Sequence, residues 1–371
     1  MQAELFSPRA FALAPRALVA GTQPGSSGPL ARVWVKQVSA ELAASVRAAG
    51  GDVLAHPRGH EVLVRVSRLA ALEDEDGRLV AAAWRAATRP VDRTRVMGIL
   101  NVTDDSFSDG GLDPSAEASV ARGLELVAEG ADILDVGGES TRPGARPIGL
   151  AEELERVLPV IEGLTAARVP VISIDTSKAR VAAAALEAGA CIVNDVSAGL
   201  GDPELLAVAA RSGAELVLMH MRGTPRTMQT DPRYTDVVGE VTEHLRERVL
   251  AAWNAGVPLA RIVVDPGIGF GKRLEDNVRL LNATSELRSL GQRVLVGVSR
   301  KSFLGALGGQ SVPRERGVET TAAVALSTAL GADWQRVHDV ASARRAIAVA
   351  EAVRSAGQTA APDVQAGDAG R

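Results

Sequence analysis

The sequence has one cysteine, Cys191, among 371 residues, and no apolar run in it is long enough to cross a bilayer. A single cysteine excludes an intrachain disulfide and a cysteine-based zinc site, and it fits a reducing compartment. Charged residues interrupt the apolar patches near the N-terminus, so no signal peptide is predicted. We therefore expect a cytoplasmic protein without a membrane partner.

The sequence also has no block of basic residues, and its formal net charge is −4. This balance argues against nucleic acid as a partner, although separate arginines and lysines can still bind a small anion. Aromatic residues make up only 3% of the chain, whereas hydrophobic residues make up 46%. The length suits one barrel-sized domain with a small appendage.

The two ends of the chain have compositions typical of disorder. Residues 1–30 contain several prolines and a Gly/Ser-rich run, and residues 356–371 are rich in alanine, glycine, glutamine and aspartate. We predict that both segments are disordered. Residues 31–92 have the strand and helix patterns of a small accessory α/β domain, whereas residues 93–355 follow a different and regular pattern.

Apolar strands alternate with helices eight times in residues 93–355. Strands are predicted near residues 96–100, 133–136, 171–174, 191–193, 216–219, 262–264, 294–298 and 334–337. Strands that are almost entirely apolar belong to a parallel sheet covered on both faces. We therefore predict an α/β fold, a (β/α)8 TIM barrel with a small N-terminal α/β domain. A doubly wound open sheet is the alternative, but polar residues follow most strands rather than one switch point.

Polar side chains follow nearly every predicted strand. They are Asn101, Asp135, Asp175, Asn194, His220, Asp265, Ser299, Arg300, Lys301, Arg336 and His338. An aspartate after a strand is usually a helix cap or a turn residue. In a barrel, however, the carboxyl ends of all strands meet at one mouth. Their recurrence at nearly every strand therefore favours a shared site over separate caps.

The residue types in this set point to a planar polar ligand with an anionic group. Buried carboxylates need donors, which the amino-amidine edge of a 2-amino-4-oxopteridine would supply, and Lys301 could reach its ring carbonyl or nitrogen. Arg336 and His338 alternate onto one face of a strand. With Arg300 they could bind an anionic leaving group, and Asn101 offers a neutral oxygen for magnesium.

Glycine-rich loops follow several strands. Residues 101–114 and 137–149 form long polar loops that could close over a reaction, although plain surface loops are the simpler interpretation. Residues 265–272 are not a phosphate loop, because three residues rather than four separate Gly267 from Gly271. They are not a dinucleotide fingerprint either, since Lys272 stands at the third glycine position. We predict that these glycines let the backbone lie beneath a planar ring.

A set of motifs spread over residues 95–355 resembles the dihydropteroate synthase family of pterin-binding enzymes. The motifs lie at residues 97–111, 135–144, 174–178, 194–195, 218–221, 265–272, 299–302 and 336–339. The resemblance implies a transferase of folate biosynthesis that condenses 6-hydroxymethyl-7,8-dihydropterin diphosphate with 4-aminobenzoate. The products would be 7,8-dihydropteroate and diphosphate. It also implies a homodimer, a Mg²⁺ requirement and sensitivity to sulfonamides.

The resemblance assigns roles to individual positions. The implied pterin contacts are Asp175, Asn194, Met219, Asp265, Phe270 and Lys301. The implied diphosphate and aminobenzoate contacts are Thr141, Arg142, Pro143, Phe107, Ser302, Arg336 and His338. The implied catalytic residues are Asp135, Lys301, Arg336 and His338, and Asn101 would contact magnesium.

Two other functions remain open from the sequence. A pterin-dependent methyltransferase would share the barrel and the acids, but it would not need Arg336 or His338. An inactive pterin-binding paralogue would act through a partner, and the intact anion-binding residues argue against it. The chain also departs from the family pattern at Asp104 and Ala179, where the family usually has proline. The sequence assigns no role to the N-terminal domain.

Overall fold

The computed structural model describes residues 3–18, 30–102, 116–140 and 146–358. These residues form a small N-terminal domain and a closed barrel of parallel strands surrounded by helices. Within these ranges, no helix has the length and apolar character needed to cross a membrane.

The N-terminal domain is a four-stranded antiparallel sheet covered by helices. The strands pair in the order β1-β2-β4-β3, and their bounds are Arg16–Ala17 (β1), Leu30–Val35 (β2), Asp52–His56 (β3) and Gly59–Arg65 (β4). The helices are Pro8–Leu13 (α1), Ala40–Ala48 (α2) and Glu75–Thr88 (α3). Alternate residues of β2, including Val33 and Val35, are fully buried in a core of their own. The period of two is the pattern expected of a sheet with one covered face.

The eight barrel strands pair in chain order, and the last strand pairs with the first. Their bounds are Arg95–Asn101 (β5), Ile133–Gly137 (β6), Ile172–Asp175 (β7), Ile192–Asp195 (β8), Glu215–Met219 (β9), Ile262–Asp265 (β10), Arg293–Val296 (β11) and Trp334–Val337 (β12). Trp334 lies opposite Arg95 in the pairing that closes the ring. A doubly wound sheet would keep two open edges, so the predicted TIM barrel is confirmed.

Helices connect the strands and form the outer layer. They are Ala116–Ala128 (α4), Leu150–Ala166 (α5), Ala179–Glu187 (α6), Glu204–Ser212 (α7), Val237–Asn254 (α8), Leu274–Asn282 (α9), Thr284–Leu287 (α10), Ser302–Gly308 (α11), Gly317–Ala329 (α12) and Val340–Gln358 (α13). The sequence does not predict α11. Residues 356–358, which it assigns to a disordered tail, continue α13, and residues 359–371 lie outside the described residues.

Apolar side chains fill the lower part of the barrel interior. They point inward from seven of the strands and are Met97, Ile133, Ile192, Val217, Val263, Leu295 and Trp334. Trp334 is 1% exposed, and the guanidinium of Arg293 lies 5.3 Å from its ring centroid. Alternate strand residues point outward and pack under the helices. The filled lower half leaves the polar side chains at the carboxyl ends of the strands as the lining of the open mouth.

Residues 3–18 are ordered against the rest of the chain, although the sequence predicts disorder for residues 1–30. Leu5 and Phe6 lie in a short 3₁₀ helix and are buried in the main core of the barrel. Pro8 occupies the first turn of α1, where its missing N–H has no partner to lose. The proline that suggests disorder therefore starts a helix. Residues 1–2 and 19–29 lie outside the described residues.

Arg246, on α8, fastens this N-terminal segment to the barrel. Its side chain is 1% exposed. Its guanidinium donates to the carbonyl oxygens of Leu5 at 3.0 Å, Ala10 at 3.3 Å and Pro15 at 3.5 Å. Burial lowers the pKa of Arg246 to about 10, so the side chain stays cationic at neutral pH.

Arg288 makes a second contact of the same kind between the two domains. It lies in a 3₁₀ turn after α10, and it donates to the carbonyl of Ala87 at 3.0 Å and to that of Arg89 at 2.6 Å. Both acceptors belong to the end of α3 and the linker that follows. The N-terminal domain is therefore held to the barrel at two separate places by buried cationic donors.

We predict that Arg246→Met destabilises the protein by about 3 kcal/mol, because methionine fills the space but leaves buried carbonyls without a donor. Urea unfolding followed by circular dichroism measures the change. Arg180→Met is the matched control, since Arg180 is an exposed arginine on α6, and its stability should stay within about 0.5 kcal/mol of the native value. Equal stabilities of the two variants would show that the hydrogen bonds of Arg246 do not stabilise the protein.

Candidate active site

Acidic and amide side chains converge at the carboxyl ends of neighbouring strands. Asp135 lies on β6, Asp175 ends β7, Asn194 lies on β8 and Asp265 ends β10. All four are at most 8% exposed. Asn194 donates from Nδ2 to Asp135 Oδ2 at 3.0 Å. The residues that the sequence placed at one mouth are therefore brought together.

Arg336 is the cation that joins two of these acids. From β12 it donates through Nε to Asp135 Oδ2 and through Nη2 to Asp175 Oδ2, both at 2.6 Å. Burial raises the pKa of Asp175 to about 7, and Arg336 opposes this rise. Burial works against the charge of Arg336, but Asp135 and Asp175 together raise its pKa above the ordinary value. The sequence predicted that Arg336 binds an anionic leaving group, whereas in the structure its guanidinium bonds to two of the acids.

Lys301 and Asp265 form the other half of the cluster. A Cβ added to Gly297, just after β11, would lie 3.8 Å from the Cβ of Arg336, 3.9 Å from Lys301 Nζ and 4.0 Å from Asp265 Oδ2. Burial lowers the pKa of Lys301 to about 8, with Asp265 opposing, and burial raises the pKa of Asp265. Asp265, Lys301 and Arg336 therefore surround one point at the barrel mouth.

The loop between β10 and α9 forms one wall of this cluster. Its three glycines have left-handed φ angles, +65° at Gly267, +85° at Gly269 and +62° at Gly271. A Cβ at Gly267 would lie 1.9 Å from the carbonyl oxygen of His220. Backbone conformation and close approach therefore require these glycines; the sequence expected them for a different reason, contact with a planar ring.

Apolar side chains stand beside the acids. The ring centroid of Phe270 lies 4.5 Å from Lys301 Nζ. Met219 ends β9 and is 3% exposed. Its Cγ would lie 3.2 Å from a Cβ on Gly267, so it packs against the same loop. The structure thus groups both implied ring contacts with the polar cluster.

His338 and Ser299 lie together beyond the ends of β12 and β11. Ser299 Oγ and His338 Nδ1 are 2.9 Å apart, and the His338 backbone N–H donates to the same oxygen at 3.2 Å. Ser302 is the first residue of α11 and is exposed. A helix N-terminus favours an anionic group. Arg300 lines a cleft at the N-terminal ends of α12 and α13.

Asn101 ends β5, next to β12 in the ring, and it is partly buried. The described residues contain no group of three or more His, Cys, Asp or Glu side chains that could hold a metal ion. Mg²⁺ is commonly bound by one or two protein oxygens together with substrate phosphates and water. A single amide oxygen at this edge fits an ion that is bound through a diphosphate, and it does not fit an ion held by the protein alone.

Four of the predicted site residues cannot be placed. Phe107, Thr141, Arg142 and Pro143 lie outside the described residues. Beside the second of these gaps, Lys178 forms ion pairs with Glu139 and Glu153. Glu153 is fully buried and accepts a hydrogen bond from Thr176 at 2.6 Å. Charged and hydrogen-bonding contacts therefore join the residues that follow β6 and β7 to α5.

Lys272 is the buried residue that sequence reasoning missed. It is 3% exposed, and its Nζ lies 2.8 Å from the carbonyl oxygen of Gly267 and 2.9 Å from that of Phe270. A lysine after a glycine run is ordinarily exposed, so nothing local in the sequence signals its burial. His220 lies beside it, and burial lowers the pKa of His220 to about 2, so its ring is neutral.

Ala179 stands where the family usually has proline, and its backbone N–H makes a hydrogen bond. It is the first residue of α6, and its backbone nitrogen donates to Asp202 Oδ2 at 2.9 Å. Proline lacks this donor. The other departure, Asp104, lies outside the described residues.

The sequence profile described as "Pterin binding enzyme" matches residues 97–338, which is more than half of the chain. The chain belongs to the pterin-binding enzyme family. The match begins in β5 and ends one residue after β12. The match to the pterin-binding enzymes therefore covers the barrel, and the N-terminal domain lies outside it.

Three relatives within the pterin-binding enzymes are similar to this chain over 90% or more of their own length. A Synechocystis dihydropteroate synthase is 48% identical over 261 residues, which are 70% of this chain and 90% of that protein. A solved Xanthomonas albilineans dihydropteroate synthase with 4-aminobenzoic acid is 49% identical, with a TM-score of 0.67 over 71% of this chain and 94% of that chain. A Yersinia pestis dihydropteroate synthase in a sulfonamide complex is 40% identical, with a TM-score of 0.68 over 72% and 96%.

We predict that kcat/KM for a pterin substrate is highest between about pH 7 and pH 8. Below the raised pKa of Asp175, about 7, the carboxyl is protonated. It then lacks the negative charge that strengthens hydrogen bonds from the N–H groups of the substrate. Above the lowered pKa of Lys301, about 8, the amine is neutral. Each limb should fall about tenfold per pH unit. Steady-state rates from pH 5.5 to 9.5 measure this profile. In Lys301→Arg the alkaline limb should disappear, and a native profile that is flat over this range would contradict both assignments.

Proposed function

We propose that this member of the pterin-binding enzymes is a dihydropteroate synthase. It condenses 6-hydroxymethyl-7,8-dihydropterin diphosphate with 4-aminobenzoate and releases 7,8-dihydropteroate and diphosphate. The reaction belongs to folate biosynthesis, and sulfonamides would compete with 4-aminobenzoate for its site. Support comes from the family and from relatives named dihydropteroate synthase that align over 90% or more of their length.

One observation carries the proposal. Asp265, Lys301 and Arg336 surround a single point at Gly297, and Arg336 joins that point to Asp135 and Asp175. A ligand at this point would find carboxylate acceptors for several of its N–H groups. It would also find cationic donors for its own oxygen or nitrogen atoms. A dihydropterin ring has that distribution of donors and acceptors, whereas a simple sugar or an aliphatic acid does not.

The buried acids bind and orient the pterin. Asp175, Asp265 and the Asn194 amide accept and donate hydrogen bonds at its amino-amidine edge, and Lys301 donates to its ring oxygen or nitrogen. Phe270 and Met219 lie against the ring and exclude water. These contacts are made in a site of low polarity, where hydrogen bonds to charged groups are strong.

The chemical step needs stabilisation of the leaving group more than activation of the amine. The C–O bond to diphosphate breaks and its electron pair leaves with the diphosphate. The arylamine lone pair then forms the new C–N bond, and the nitrogen loses a proton. Arg336 and His338 stabilise the charge that develops on the diphosphate. The family resemblance assigns further diphosphate donors to Thr141 and Arg142, and contacts with the aminobenzoate to Pro143, Phe107 and Ser302.

Asn101 would contribute an oxygen ligand to a Mg²⁺ ion bound with the diphosphate. The ion supplies positive charge to the leaving group when it is bound. This assignment rests on the position of Asn101 at the end of β5, next to β12. The protein would act in the cytoplasm on small-molecule substrates, in line with its single cysteine.

The alternative functions predict different products. A methyltransferase of the same barrel would release no diphosphate, and an inactive pterin-binding paralogue would release none with or without 4-aminobenzoate. The placement of Arg336 and His338 on one strand end supports the diphosphate chemistry.

We predict diphosphate release from the pterin substrate that increases when 4-aminobenzoate is added. Lys301→Ala and Asp265→Asn should each lower kcat/KM by roughly 100-fold or more, because each removes a charged group that faces the pterin. A coupled diphosphate assay measures the rates, and circular dichroism checks the fold. Lys36→Ala is the matched control, since Lys36 is an exposed lysine of the N-terminal domain, and it should keep the native rate.

A native turnover rate in Lys301→Ala or Asp265→Asn would show that the substituted residue does not belong to the active site. Absence of diphosphate release by the native protein under any condition would instead favour the non-enzymatic alternative.

We also propose that the protein is a homodimer through the outer faces of α12 and α13. Val318 and Leu326 on α12 are 81% and 59% exposed, and Val349 and Val353 on α13 are 65% and 64% exposed. The pairs are eight and four residues apart, so each pair shares one helix face. The two helices are neighbours. Exposed apolar side chains on two adjacent helices can pair with the same side chains of a second copy.

We predict that Val349→Glu raises the dimer dissociation constant at least tenfold, because it buries a charge at the contact. Sedimentation equilibrium measures the constant. Leu54→Glu is the control, since Leu54 is a 45% exposed leucine on β3 of the N-terminal domain. Equal dissociation constants for the two variants, or a monomeric native protein, would contradict the proposed dimer.

A further inference from the structure

The loop between β10 and α9 is held by side chains along its whole length. Five consecutive carbonyl oxygens, those of residues 267–271, each accept a hydrogen bond from a side chain outside that run. The donors are Lys272 for the first and fourth carbonyls, Lys301 for the second, Gln229 for the third at 2.9 Å and Tyr234 for the fifth at 2.7 Å. A loop whose glycines are inherently flexible is thereby fixed in one shape.

Lys272 differs from the other donors because it bonds two carbonyls on either side of Ile268. Its Nζ lies 2.8 Å from Gly267 O and 2.9 Å from Phe270 O, and it also lies 3.2 Å from His220 O and 3.0 Å from His220 Nδ1. The side chain is 3% exposed. Lys272 therefore ties the loop to the end of β9 and sets the spacing between Gly267 and Phe270.

Two residues of this stretch, Ile268 and Phe270, contact Lys301. Lys301 Nζ donates to the carbonyl oxygen of Ile268, and the ring of Phe270 lies 4.5 Å from the same nitrogen. A movement of the loop would shift both contacts together. The position of the Lys301 amine at the mouth therefore depends on the bonds made by Lys272.

We propose that Lys272 is a positioning residue for pterin binding, which acts by fixing the loop that orients Lys301 and Phe270. This inference rests on the proposed function. Lys272 faces Asp265 and Asp276, which favour its charged form, and Lys301 and Arg222, which oppose it. Burial is the largest influence and lowers the pKa of Lys272 well below its ordinary value. A neutral amine still has two N–H bonds, enough for the two shortest contacts, so the role holds in either charge state.

The test is the binding of two probes to Lys272→Met, measured by calorimetry. A pterin without diphosphate should bind at least tenfold more weakly than to the native protein. Inorganic diphosphate should bind within twofold of native, because Arg336 and His338 are unchanged. KM for the pterin substrate should rise more than KM for 4-aminobenzoate. A merely structural role would weaken both probes alike or leave both unchanged, and either result would overturn the proposal.

Control variants separate Lys272 from the rest of the loop. Gln229→Ala removes an exposed donor to the same loop, and it should leave pterin affinity within twofold of native. Lys272→Gln keeps two N–H donors and should give an intermediate loss. If Lys272→Met does not fold, Lys272→Gln replaces it, and pterin affinity within twofold of native in that variant overturns the proposal.

The same data distinguish failure of this inference from failure of the proposed function. If the native protein turns over its substrates and Lys272→Met binds the pterin with native affinity, only the proposed role of Lys272 is contradicted. If the native protein binds no pterin, both the role of Lys272 and the proposed function are contradicted.

Discussion

The contact of Arg336 with Asp135 and Asp175 is the interaction on which the site depends. Both acids are buried, and two carboxylates on neighbouring strands repel each other in a medium of low polarity. The guanidinium of Arg336 compensates both from β12, which is separated from β6 by a single strand in the ring. Removal of the cation would leave uncompensated buried charges, whose cost is several kcal/mol. The charges are thus arranged before any ligand arrives, which is the condition for electrostatic catalysis.

The closed barrel makes this arrangement possible. β12 pairs with β5, so residues about 200 positions apart in the chain lie across a single ring. Apolar side chains, including Met97 and Trp334, fill the lower half. The strand pattern and the positions of the acids could be predicted from the sequence, because an apolar strand is a local signal and a barrel brings its carboxyl ends together by topology.

Other features could not be predicted, because they depend on contacts between distant segments. The sequence predicts an anion-binding role for Arg336, but its contacts with Asp135 and Asp175 depend on the closed barrel, which brings β12 close to β6 and β7. Lys272 follows a glycine run, and only the folded loop shows that it is enclosed. Residues 3–18 are held in part by Arg246, more than 200 positions later. Short-range composition carries no information about such contacts.

Backbone carbonyls are the groups by which the N-terminal domain is recognised at Arg246 and Arg288. A carbonyl oxygen is the same in every amino acid, so these contacts place little restriction on which side chains the docked segments carry. Mutations can accumulate in those segments over evolution while the attachment persists, provided that the path of the main chain is kept. The two arginines, by contrast, have no such freedom. Homologous extensions could then share a docking geometry long after their similarity in sequence has become undetectable.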